Sequence, residues 1–339
     1  MASVKERIHW IDIAKGILII LVVYGHLDFF SDYFAGTSAY NWKGTTNFMF
    51  LPWYMPAFFI ITGLCSNFEV PIFCFVKNNF KSLIIPSFLI GSFLVFWLDL
   101  FLREGISIRN FFAIDYREAI LVGGGGAWFL SALFLSKVIY RLLRIKIHLW
   151  IMLVICCLLL MQIGISLINN KIGENLWCYQ HAFIALPFIA IGCFLRTKAK
   201  WMEHYLVLVI GGAILLYCYF FPYPYFNASP IVNITNSWLM LILSVGGSFL
   251  IFFISKKINN NRFLEYIGRH TLVIYLIHRP IMVFFVKLSV SMGVEVVDLP
   301  LRVLYGLLIV LITVICSTLI DETIDSKIPL LKGKISLKN

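Results

Sequence analysis

Apolar runs on the order of 20 residues recur along this chain, separated by short clusters of charge, proline, glycine and asparagine. A helix of about that length covers the roughly 30 Å hydrocarbon core of a bilayer. Inside that core the backbone must satisfy its own hydrogen bonds, which leaves helices or closed barrels, and continuous rather than alternating apolar character selects helices. The runs predict ten of them, at about 9–30, 48–66, 83–102, 127–143, 148–168, 180–195, 204–221, 236–255, 270–292 and 300–320. The expected fold is therefore all-α, a polytopic transmembrane helix bundle of about ten spans. With 60% apolar and only 13% charged residues, the chain is unlike a soluble domain, where about a quarter of residues are charged. The longest less apolar stretches, 103–126 and the tail 321–339, are too short to build a core, so residues 1–339 read as one integral-membrane domain. No inverted internal repeat is visible.

Charge sets the expected orientation. The formal net charge of +11 does not point to nucleic acid, because the basic residues are spread between apolar runs and form neither a basic helix nor an aromatic sheet motif. Of the 28 lysines and arginines, 20 fall on the side of the N-terminus, Lys77 and Lys81 among them. By the excess of cations in cytoplasmic loops, both termini are expected in the cytoplasm and the chain in the cell (inner) membrane as a multi-pass protein. The first run carries charges and lacks a small-residue cleavage site, so it reads as a retained span and not a signal peptide. Eight cysteines, with no C-x-x-C pair and no ligand spacing, read as small buried hydrophobes, and no metal is expected. The outward segments 31–47 and 222–235 mix aromatic, hydroxyl and amide groups, a composition shared by interfacial aromatic belts and by surfaces that stack on sugars.

The first run is polar where a lipid-facing helix would not be. Asp12, Lys15 and His26 interrupt it, and ionisable groups at such depth cost free energy unless they face protein or water. At about 100° per residue, Lys15 and His26 differ by only about 20° around the helix and are separated by about 16 Å along it. One stripe thus holds a cation at one end and an imidazole further along. Asp12 is about 21 Å by rise from His26, too far to orient it, which leaves Asp28 or His278 as orienting candidates. Two readings stand for each group. His26 is either a general base or an interhelical hydrogen-bonding group. Lys15 either pairs with Asp12 one turn away or joins Arg7, Lys77 and Lys81 in a cationic mouth suited to phosphates, whereas Lys77 and Lys81 also fit plain topology.

The arrangement Arg7…Trp10-Ile-Asp12…Lys15-Gly16…Gly25-His26 resembles the opening helix of the membrane acyltransferase 3 family, whose hallmark is a basic residue, ten residues, then histidine. Further stretches are similar to that family in the same order. Met55-Pro-Ala-Phe-Phe-Ile-Ile-Thr-Gly63 resembles its Phe-rich Ser-Gly motif, with Thr62 for the serine and Leu64 for an aromatic; Lys77…Lys81…Pro86 its basic segment; Ala127-Trp128-Phe-Leu130 its Trp-Phe-Leu helix start; and Tyr275-Leu-Ile-His278 its Tyr-Leu-x-His motif. The resemblance implies transfer of an acyl group, usually acetyl from cytoplasmic acetyl-CoA, to a sugar hydroxyl on a lipid-linked or surface glycan, without metal. Carried onto this sequence, His26 becomes the catalytic histidine and Lys15 the basic partner near the donor, with Arg7, Lys77 and Lys81 beside it and Asp12, Asp28, Trp128 and His278 as possible supports. The short, membrane-only length is similar to fucose-acetylase-like proteins and to enzymes acting on extracellular poly-glucosamine. A transporter or glycan exporter, in which the polar stripe is a proton or substrate path, is the rival expectation; it wants matched Gly/Pro interruptions in two halves, and no such pair is evident. The sugar, the acyl group and the oligomeric state are not encoded in any motif.

Overall fold

The computed structural model describes residues 8–27, 50, 52–94, 128–144, 147–170, 177–221, 234–258, 260–294 and 299–333. Among them there is no strand. The elements are α1 (His9–Gly25), α2 (Tyr54–Cys65), α3 (Ile72–Asn79, continued by π-helical Phe80–Ile84 and Ser87–Leu94), α4 (Trp128–Arg144), α5 (Leu149–Ile155, π-helical Cys156–Leu160 and Met161–Asn169), α6 (Tyr179–Leu195), α7 (Leu206–Phe220), α8 (Ile234–Ile258), the short α9 (Arg262–Arg269), α10 (Thr271–Ser291) and α11 (Leu299–Lys327). A 3₁₀ turn, Pro329–Lys332, closes the described chain.

Four stretches, Leu149–Ile168, Ser237–Ile258, Thr271–Ser291 and Val303–Lys327, are long and apolar enough to cross a bilayer, and α2, α6 and α7 are shorter apolar helices. Large apolar side chains stand exposed on α5 (Trp150, Ile151, Leu159), α7 (Val209, Leu216, Phe220) and α11 (Leu304, Leu307, Leu319). An exposed apolar surface of that extent belongs against lipid. This is an all-helical membrane protein.

α1 lies at the centre, packed against α2, α8, α9, α10 and α11. Its closest neighbour is α9, which runs antiparallel to it with a glycine on each side: a methyl at Gly16 would overlap the Leu264 carbonyl, and one at Gly268 the Asp12 carbonyl. α2 and α6 meet in the same manner, Gly63 against the Ile189 carbonyl and Gly192 against that of Ile60. Small residues let backbones come this near where no hydrophobic force drives helices together. Arg196, just beyond α6, donates to the Leu64, Gly63 and Ser66 carbonyls, the first two at 3.0 and 3.1 Å, and so satisfies the C-terminal end of α2.

Four expected boundaries move, the first being the start of α2, which comes at Tyr54 and not near 48. α1 ends at Gly25, five residues before 30, with His26 turning out of the helix at φ −95°, ψ 11°; apolar character alone cannot separate a helix from the turn that follows it. The third helix begins at Ile72 and not near 83, so Lys77 and Lys81 ride on a helix instead of leading to one. Pro86 falls between its two π-helical stretches, where a residue lacking an N–H is accommodated by widened turns. α11 continues to Lys327, so Asp321 is no tail residue: it is fully buried, one turn after Ser317 and three residues before buried Ile324. α9 went unforeseen because eight residues with three arginine or glutamate side chains read as a loop; its Asn261 cap accepts from the Leu264 N–H at 3.0 Å. The segments 31–47 and 103–126, and 222–233 of the second aromatic loop, lie outside the described residues.

Candidate functional site

Lys15 and Ile19, one turn apart on α1, line the same cavity, and His26 stands at the C-cap of that helix. Asp12 is buried and sits 3.5 Å from Lys15 Nζ, so the one-turn ion pair forms. At that length the pair is loose, and the lysine side chain keeps 29% of its surface exposed. His26 caps α1: its Nδ1–H donates to the Val22 carbonyl at 2.7 Å, one of the carbonyls that a helix end leaves unmatched. Carbonyls only accept, so the proton of the neutral ring is on Nδ1 and the lone pair on Nε2.

A second imidazole meets it from α10. The His26 and His278 rings stand edge to face, centroids 4.8 Å apart at 70°. His278 is 2% exposed and donates Nδ1–H to the Ile274 and Tyr275 carbonyls at 3.0 and 2.8 Å. Its Nε2 is buried and has no hydrogen-bond partner among the described residues. A buried acceptor in that condition costs about 1–3 kcal/mol until a donor reaches it, which is a reason to expect chemistry there.

A cavity of about 210 Å³, whose wall contains neither histidine, is formed by α1 (Lys15, Ile19), α2 (Met55, Phe58, Ile61, Thr62), α3 (Ser82, Leu83), α4 (Phe129, Leu130, Leu133) and α10 (Thr271, Leu272, Tyr275). Among the described residues Lys15 is the one cation in that wall, and most of the rest is apolar. Tyr275 joins the cavity to the histidines, its ring 6.2 Å from His278 and 5.5 Å from Phe129. A cation, an apolar chamber and two imidazoles, of which His278 keeps an unpartnered Nε2, therefore follow one another along α1 and α10.

Other expected residues are placed differently. Thr62, at the variant position of the Phe-rich motif, lines the cavity while its hydroxyl donates to the Phe58 carbonyl at 2.9 Å. Lys77 is exposed and Lys81 half-buried, and neither lines the chamber, although the next residues on α3, Ser82 and Leu83, do. Trp128 also stays out of the wall; its ring contacts His181 at 5.3 Å. Arg7 and Asp28 lie outside the described residues. Tyr275, Met55 and Phe129 were quoted only as parts of motifs, and nothing in their spacing sets a cavity residue apart from a packed one. Among the described residues no group of three His, Cys, Asp or Glu side chains could hold a metal ion.

A family model described as an acyltransferase domain matches residues 8–322, which takes in every wall of the cavity and both histidines. The chain belongs to the acyltransferase 3 family. Comparison with curated proteins and with solved structures finds no match. The membership makes this membrane protein an acyltransferase, and the sequence resemblance noted at Lys15-x10-His26 and at Tyr275–His278 falls on the two segments that the fold brings together.

Proposed function

We propose that this acyltransferase takes an acyl group, acetyl in the simplest case, from cytoplasmic acyl-CoA and delivers it to a sugar hydroxyl of a lipid-linked or cell-surface glycan. The protein would cross the cell membrane about ten times with both termini in the cytoplasm, which places Lys15 toward the donor side and His26 deeper or beyond. The observation that carries the reading is the succession of Lys15, an apolar chamber and a histidine pair along α1 and α10.

Volume limits what enters. A cavity of about 210 Å³ is below the roughly 300–1,000 Å³ of sites that enclose a whole drug-sized ligand. It has room for the acyl group and part of the thioester arm, so the nucleotide end of the donor stays at the mouth, where Lys15 meets a phosphate, helped by Arg7, Lys77 and Lys81. In the direct route the acceptor O–H gives its proton to His26 Nε2, its oxygen forms a bond to the acyl carbon, the C–S bond breaks, and the thiolate takes the proton back from His26 to leave as the thiol. In the covalent route His26 Nε2 bonds to the acyl carbon as the C–S bond breaks and the thiolate leaves, and the acceptor oxygen then takes the acyl carbon from the imidazole while its proton passes to the thiolate. General-base assistance of this kind is worth about 10²–10⁴-fold. His278 positions His26 and offers its buried lone pair to the charge that develops on that ring.

Purified protein with His26→Ala, supplied with acetyl-CoA and a glycan acceptor, is expected to lose transfer by at least about 10²-fold; transfer at the wild-type rate would refute the assignment. Mass spectrometry of surface glycans in cells without the gene is expected to show loss of an acyl increment. Loss of the entire polymer would favour an exporter.

A further inference from the structure

Outside the cavity, the densest group of titratable side chains surrounds Asp321 near the end of α11. Asp321 is fully buried, and its two oxygens face different elements: Oδ2 accepts from His270 Nδ1 at 2.6 Å, and Oδ1 lies 2.7 Å from Lys332 Nζ. Lys332 is also 2.7 Å from Asp325 Oδ2, with only 12% of its side chain exposed. Two carboxylates thus hold one lysine of the 3₁₀ turn Pro329–Lys332. Beyond it, Gly333 adopts φ +68° and lies so close to the Lys81 carbonyl that a Cβ would overlap it.

The two anchor points share a property that their chemistry does not require. His270 immediately precedes Thr271 and Leu272, and Lys81 immediately precedes Ser82 and Leu83; all four of those following residues line the cavity, as does Lys15. A single turn of chain is therefore tied to the α3 wall at Lys81 and, through Asp321 of α11, to the residue that opens the α10 wall, and Leu331, just before both ties, packs on the core. Structural fastening of a C-terminus needs only one such tie. We propose that residues 329–333 form an ionic clasp at the cavity, keeping the α3 and α10 walls together and controlling access between them.

A buried carboxylate shared between a lysine and a histidine keeps one partner if it loses the other, so release of Lys332 does not strand Asp321. The glycine tie is purely steric and carries no charge. Breaking either tie should loosen the same turn, a result that independent structural roles would not give.

The proposal rests on the acyl-CoA reading only for what passes the clasp, and its test is separate from catalysis. In the full-length protein carrying Thr271→Cys in the cavity wall, the rate of labelling by a small maleimide is compared with and without Lys332→Met, and with and without Gly333→Ala. Each change is expected to raise labelling about tenfold and to speed hydrogen exchange in 328–333, with exchange in α1 and α4 unchanged. Labelling and exchange equal to those of the parent in both variants would overturn the clasp, as would a rise accompanied by exchange throughout the bundle, which means general unfolding. Acetyl-CoA, whose sulfur is blocked against maleimide, is expected to protect Thr271→Cys when added to the parent. Protection by acetyl-CoA without any effect of the two variants would spare the donor assignment and sink the clasp; the converse would spare the clasp alone.

Discussion

Replacing Gly16 by alanine tests the central packing of α1 and, through it, the site. In an isolated helix the change gains roughly 1 kcal/mol, because glycine loses more backbone entropy on folding than alanine. Here the new methyl falls on the Leu264 carbonyl of α9, so the two helices must part by on the order of 1 Å to restore ordinary contact. Overpacking of that size costs about 1–3 kcal/mol, leaving a net loss of up to about 2 kcal/mol after the helix gain. Gly212→Ala on α7 is the control: its methyl would meet nothing within 4 Å, and it should gain the roughly 1 kcal/mol without the collision. Gly268→Ala strikes the same interface from the other side, at the Asp12 carbonyl, so a helix pair already pushed apart by one methyl accepts the second more cheaply and the double variant should lose less than the two singles together. The functional consequence is larger than the stability change. Asp12 and Lys15 flank the contact, and misplacing a reacting group by about 1 Å can lower a rate by about 10²-fold. Thermal unfolding in detergent and acetyl transfer measured on the same preparations give both numbers. Gly16→Ala as stable as Gly212→Ala, with unchanged transfer, would refute the close-packing argument.

The remaining expectations concern charge and capping. Lys15→Met should raise KM for the acyl donor by about tenfold or more with a smaller effect on the rate at saturation, and Lys15→Arg should restore most of the loss, since phosphate recognition needs the charge; an unchanged donor KM would remove Lys15 from the mouth. Arg196→Ala leaves the Leu64, Gly63 and Ser66 carbonyls at the end of α2 without their donor, and a loss of about 1.5–3 kcal/mol is expected for hydrogen bonds to a charged group that is part-exposed. Unfolding in detergent measures it, and a change within about 0.5 kcal/mol would mean that water replaces the guanidinium. Burial by itself pulls Lys332 down, but the hydrogen bonds and charges of Asp321 and Asp325 outweigh it and hold the ammonium above the ordinary lysine range. Its contribution is therefore fully present below the unfolded lysine value of about 10.4 and is lost only as pH rises beyond that through the folded value. Hydrogen exchange in 328–333, corrected for the intrinsic rate, should show the turn equally closed at pH 7 and pH 9; a turn that opens over that interval would contradict the lysine's role in holding it.

The apolar runs by themselves determined that this chain is a helical membrane protein, and they located α2, α4 to α8, α10 and α11 to within a few residues over most of their ends, because a span is a local property: each window of sequence carries its own transfer free energy. The placing of Lys15 near the start of one helix and His26 near its end was equally legible, being fixed by the rise along a single run, although His26 proves to be the residue that caps the helix. What lay opposite those two residues was not. His278 reaches His26 only because α1 and α10 pack together, and Tyr275 faces a cavity whose walls come from five helices. Lys77 and Lys81, grouped with Lys15 by charge and side of the membrane, are kept out of the chamber by the pitch of α3. Asp321 looked like the start of a polar tail and is instead buried, because His270 and Lys332, 51 and 11 residues away in sequence, come to it only in the folded bundle. Local free energies choose the helices; which side chains they bring face to face is decided by packing between segments whose pairing no single window of sequence encodes.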